Sequence, residues 1–170
     1  EAVLEVFQGH IDRAAARALF TRRTETTNRL TRNPLAARIF RTLEDARTER
    51  LMQKRFPGSA YNLERYYEQL FAGAAGTERE EADFACAVRA AVGDALFEPF
   101  AEAQFDERRS TVVDADDDVR PEEEGFDPAA LRTHLCRAYA QSFEGETLTE
   151  AFDGLNSTED TARLAAVLAG

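Results

Sequence analysis

"RNPLAARIFRTLEDARTERLMQKRFPGS", residues 32–59, opens and closes a helix within one stretch. Asn33 suits the N-cap, where its side chain accepts from a first-turn N–H, and Pro34 suits the first helical position, where no N–H is needed. Leu35, Ile39, Leu43 and Ala46 recur at three- and four-residue steps and predict a buried stripe. Pro57 and Gly58 then stop the run. A helix with one apolar stripe needs other helices to cover it.

The rest of the chain repeats the pattern. Upstream, Val3, Phe7, Ile11, Ala14, Ala15, Ala18 and Leu19 keep helical spacing and predict a first helix over about residues 10–31. Downstream, Ser59 is placed to cap a helix in which Leu63, Tyr66, Tyr67 and Leu70 share a face. Thr77 and Glu80 read as a capping box ahead of Phe84, Val88, Ala91 and Ala95, and Pro99 kinks or ends that helix. Asp127-Pro128 repeats the logic of Asn33-Pro34 ahead of Leu131, Leu135 and Ala138. Gly145, Gly154 and "NSTED", residues 156–160, delimit two short final helices. No alternating strand pattern with hairpin chemistry occurs. The expected fold is all-α, a single-domain bundle of six to eight helices over residues 1–170 with one long acidic loop at 110–126. Met52 is the only methionine, so the sequence reads as a trimmed chain, a processed product or a domain cut from a longer one.

Acids outnumber bases 32 to 21, for a net charge of −11, and Lys54 is the only lysine. Dense carboxylates keep a surface hydrated in strong salt, which suits a halophile's cytoplasm, with a GC-rich mesophile as the alternative source of this composition. Cys86 and Cys136 are too sparse for a disulfide framework and read as reduced, small core residues. No apolar run approaches the ~18 residues that cross a bilayer.

Catalytic and cofactor patterns fail one by one. The positions three before His10 and His134 are Phe7 and Leu131, so the Glu-x-x-His pairs of a di-metal bundle are missing. His134 and Cys136, two apart, point to different sides of a helix and cannot share a zinc ion. A Cys86–His134 nucleophile pair requires a chance meeting of distant segments. Asp114, Asp116 and Asp118 begin like a calcium loop, but Val119 and Gly125 stand where it needs Gly and Glu. Glu64 and Glu68, beside Tyr61, Tyr66 and Tyr67, read as the outer face of an amphipathic helix. The expectation is no catalytic, cofactor-binding or metal-ligating residue.

Charge distribution supplies the strongest signal. Residues 12–55 hold twelve bases and five acids, net +7, and the remainder holds nine bases and 27 acids, net −18. Internal pairing with the chain's own acids is one cause. An acidic protein partner, gripped through arginine forks at Arg22, Arg23, Arg29 and Arg32, is another. Nucleic acid, with the same arginines on phosphates, is a third, although the overall acidity opposes it. The reading is a non-enzymatic helical binding module with residues 12–55 as its docking surface, its partner being another protein or a second copy of the chain. A small-molecule-binding or catalytic bundle, with a central apolar pocket lined by Tyr66 and Phe84, is the alternative.

Overall fold

The computed structural model describes residues 2–30, 32–98, 100–101, 126–143 and 145–170. Among them are eight α-helices and no strand: α1 (Ala2–Phe20), α2 (Glu25–Leu30), α3 (Pro34–Arg55), α4 (Gly58–Gly73), α5 (Thr77–Ala91), α6 (Pro128–Ser142), α7 (Leu148–Asp153) and α8 (Thr158–Leu168). The bundle is all-α, as the periodicity predicts. Pro99, the three aspartates of the failed calcium loop and residues 110–125 of the acidic loop lie outside the described residues.

α3 is the axis, with α1, α2, α4, α5 and α8 packed around it. Its start follows the sequence closely: Asn33 Oδ1 accepts from the Ala36 N–H at 3.1 Å, and Pro34 is the first helical residue. Asp127 does the same for α6, accepting from the Ala129 and Ala130 N–H groups. One core joins Ile39, Leu43 and Ala46 of α3 to Phe84 and Val88 of α5, Leu135 of α6, Phe152 of α7 and Leu164 and Leu168 of α8. A second joins Tyr66, Tyr67 and Phe71 of α4 to Ala82, Cys86 and Ala90 of α5 and to Phe97. α5 thus stands between two cores and serves both. Each fully buried Leu, Ile or Phe contributes roughly 1.5–3 kcal/mol through removal from water.

Several local expectations need correction. The first helix spans residues 2–20, not 10–31, and α2 is separate. Thr24 interrupts the run: its Oγ1 accepts from the Thr27 N–H while Thr27 Oγ1 accepts from the Thr24 N–H, and such side-chain bonds compete with helix continuation. The apolar stripe of α1 also faces outward. Leu4, Phe7, Ile11 and Leu19 are exposed, and the helix buries Gly9 and Ala16 instead. A Cβ at Gly9 would lie 2.4 Å from the Asn62 carbonyl oxygen and 2.5 Å from Tyr66 Cβ, so glycine lets α1 approach α4 closely. Leu35 is exposed rather than part of the α3 stripe. Ser59 does not cap α4; Pro57 holds that position, and Ser59 Oγ donates to the Phe56 carbonyl. Gly76, at φ 53°, rather than Thr77 precedes α5, because glycine takes that backbone conformation without strain. α5 stops at Ala91, short of the exposed Ala95. The capping box that does form is Thr147–Glu150, at the start of α7.

Candidate functional site

The run Glu44, Asp45, Arg47, Thr48, Glu49 in the middle of α3 is buried throughout. At 3.6 residues per turn these side chains leave the helix in different directions, and each buried polar group needs a partner, within α3 or on a neighbour. Asp45 and Glu49, one turn apart, turn toward α1 and α5. Arg13 of α1 donates to Asp45 Oδ2 at 2.6 Å and to Tyr66 Oη at 3.0 Å, and its Nε lies 3.2 Å from Glu49 Oε1. Arg17, one turn further along α1, grips both Asp45 oxygens at 2.5 Å. From α5, Arg89 donates to Glu49 Oε2 and to Tyr67 Oη, each at 2.8 Å, and to Asp94 Oδ2 at 2.7 Å. Tyr67 passes its own proton toward Glu49 at 2.7 Å. Phe97 lies 3.9 Å beneath the Arg89 guanidinium and closes the cluster from the second core.

Three arginines (Arg13, Arg17, Arg89) face three carboxylates (Asp45, Glu49, Asp94), so the cluster is balanced in formal charge. Burial alone would lift the Asp45 pKa, but the hydrogen bond from Arg17 and the charges of Arg13 and Arg17 hold it below the ordinary carboxylate range. Burial, helped by the charge of Glu49, pushes the Tyr67 phenol well above its ordinary value, so it remains a donor. Burial opposes the charge of Arg89, and Glu49, Tyr67 and Asp94 more than restore it.

A second polar set lies on the other side of α3. Arg47 donates twice to Glu44, at 2.9 and 2.7 Å, and once to the Phe20 carbonyl at 2.9 Å. Thr158, the first residue of α8, donates to Glu44 and accepts from the Arg22 backbone N–H. This set ties the end of α1 to α8.

Beside the first cluster, α1, α3, α4 and α5 leave a cleft of about 580 Å³, within the range of small-molecule sites. Its apolar lining comes from Leu70, Phe71, Ala85 and Phe97, and its polar lining carries Arg13, Arg17, Arg38 and Arg41 together with Asp45, Glu78 and Glu81. Arg38 is paired with Glu81 at 3.1 Å, and Arg17 is half exposed while holding Asp45. Arg41 is exposed and forms no ion pair with a described residue. The expected pocket is met in part: Tyr66 lines the cleft, but Phe84 lies in the other core beneath the Arg38 guanidinium.

The four arginines singled out from sequence gather at the α1–α2–α3 junction, and all are exposed. Arg29 pairs with Glu25 one turn back at 2.5 Å, an exposed pair of small energetic value. The side chains of Arg22, Arg23 and Arg32 form no ion pair with a described residue. Arg13, Arg17, Arg38, Arg47 and Arg50 are instead engaged by the chain's own acids. The basic third therefore divides into an internal set and an outward set.

Glu64 is exposed and Glu68 pairs with Arg65, as an outer face requires, but Tyr66 and Tyr67 are core residues. Cys86 is buried as expected; Cys136 is exposed on α6 and is not a core residue. His134 is also exposed. Among the described residues, no group of three or more His, Cys, Asp or Glu is arranged to hold a metal ion, and no helix is long and apolar enough to cross a membrane. The buried cluster itself escaped sequence reasoning. Its one visible sign was the charged run at 44–49, inside a helix whose start and stop mark it as central. Comparison with family models, curated proteins and solved structures returns no match to this chain.

Proposed function

We propose that the chain is a binding module that docks an acidic protein partner through Arg22, Arg23, Arg29 and Arg32, in a salt-rich cytoplasm. The division of the basic third carries this reading: among the described residues, the guanidinium groups of Arg22, Arg23 and Arg32 form no ion pair, in a chain rich in carboxylates. Arginine forks suit bidentate recognition of carboxylates, and their placement around a short helix gives a compact basic edge. Fluorescence anisotropy with a labelled glutamate-rich peptide tests it. The variant Arg22→Gln/Arg23→Gln/Arg29→Gln should lose binding and keep its helical circular dichroism, while Arg132→Gln/Arg137→Gln, altered on exposed α6 sites, should bind as the parent does. Equal binding by both variants would reject the docking edge. Tighter binding of a single-stranded oligonucleotide than of the peptide would favour nucleic acid.

A second reading rests on Arg41. A guanidinium with no ion pair to a described residue, in a cleft lined in part by apolar side chains, suits a small molecule with an anionic head and a hydrocarbon body. Calorimetric titration with decanoate, with decanol as the uncharged control, tests it. Heat with decanoate alone, lost in Arg41→Gln, supports the cleft as a site; no heat with either removes it.

A further inference from the structure

We propose that α1 is a self-association helix, and that its outward face pairs antiparallel with the same face of a second copy of this chain. Leu4, Phe7, Ile11, Ala14 and Ala18 are all exposed, and they follow one another at alternating steps of three and four. That spacing keeps them on a single seam over the 19 residues of the helix, which is the geometry that receives a second helix. Leu4 is 61 % exposed, Phe7 60 % and Ile11 51 %. Leu19, 56 % exposed, extends the apolar surface at the far end. The opposite face, with Gly9 and Ala16, is already used against α4 and α3.

Size and charge identify the occupant as a second copy. The seam is bulky in its first half (Leu4, Phe7, Ile11) and small in its second (Ala14, Ala18). A parallel copy would set bulk against bulk. An antiparallel copy sets Phe7 opposite Ala18 and Ile11 opposite Ala14, twice over, about a two-fold axis between residues 11 and 14. Phe7 and Ile11 then each meet a small side chain, as close packing requires. A chain of net charge −11 also needs a face on which carboxylates do not meet. The acids of α1 satisfy this, because Glu5 accepts from Tyr61 and Asp12 accepts from Asn62, both on α4. Neither lies on the seam, and its flanking positions 8, 10, 15 and 17 are Gln, His, Ala and Arg. Two copies can therefore approach here without opposed acids, with their bundles on opposite sides of the paired helices.

Sedimentation equilibrium in molar salt is the direct test. The parent chain should show a mass twice the 19.0 kDa of one copy, with dissociation on dilution through the micromolar range. Phe7→Glu/Ile11→Glu should sediment as a monomer with unchanged helical content. A parent that stays monomeric throughout, as it would if α1 were covered by a different protein, overturns the proposal. So does a dimer that survives the double substitution. Register is tested separately by oxidising an equimolar mixture of Phe7→Cys and Ala18→Cys chains, each also carrying Cys136→Ser. The mixed covalent dimer should dominate, and a product made mainly of like pairs would overturn the antiparallel arrangement.

Discussion

Arg89 and Glu49 meet at 2.8 Å with both side chains withdrawn from solvent, one from α5 and one from α3. Removing one partner of a buried pair leaves the other charge without compensation, at a cost of about 3–5 kcal/mol. Glu49→Leu should fall in that range, since it also strands Arg13 and the Tyr67 hydroxyl. Glu49→Leu/Arg89→Leu should lose less than the sum of the two single losses, because residues in one network couple by about 0.5–3 kcal/mol. Urea denaturation of the four proteins measures both quantities; additive losses would show that the pair is not coupled.

Acid should weaken the fold through Asp45 and Glu44. Burial opposes the charge on Glu44 as well, but hydrogen bonds from Arg47 and Thr158 hold its pKa below the ordinary range. Both carboxyls bind protons less readily in the folded chain than in the unfolded one. Their contribution is complete above about pH 5 and is lost as pH falls through about 4 and below. Asp45→Asn should flatten this part of the stability–pH profile, with lower stability at pH 7. A variant that retains the parent's full acid dependence would exclude Asp45 as a source.

The two thiols should separate in reactivity. Burial, reinforced by the charge of Asp83, pushes the Cys86 thiol up to about 12, whereas Cys136 is exposed. Because the thiolate is the reactive form, a chromogenic thiol reagent at pH 8 should titrate Cys136 promptly and Cys86 only after unfolding. Prompt reaction of both in the native protein would contradict the packing of the second core.

Salt should stabilise the chain through its surface rather than its interior. Exposed carboxylates repel over a Debye length of about 30 Å at 0.01 M salt and about 3 Å at 1 M, while buried pairs are screened far less. The melting temperature should rise from dilute buffer to molar salt, and the rise should persist in Asp45→Asn. Flat melts across the series would remove the halophilic reading.

What the sequence revealed and concealed follows from the range of each interaction. The Asn33-Pro34 and Asp127-Pro128 starts were legible because a cap, its proline and the N–H it accepts lie within three residues. Gly76 displaced Thr77 because two local solutions competed within one turn. The α1 stripe was legible as a helix but not in its orientation, since periodicity says which residues share a face and not what covers it. The burial of Arg47 and Glu49 was the least accessible feature. Their partners Thr158 and Arg89 lie 111 and 40 residues away in sequence, and nothing local distinguishes a charge that will be enclosed from one that will be solvated.

The polar middle of α3 also bears on the order in which the chain assembles. Glu44 and Arg47 pair within α3, but the set of partners is completed by elements distant in sequence: Arg13 on α1, Arg89 on α5 and Thr158 on α8. With α3 docked on one of these alone, the charges that await the others must stay hydrated or be stranded. An apolar core would reward each docking step separately, but here every partial arrangement is penalised until the last neighbour arrives. The enclosed charges thus act against half-built intermediates, and the axial helix gains its place in the same step that closes the bundle around it.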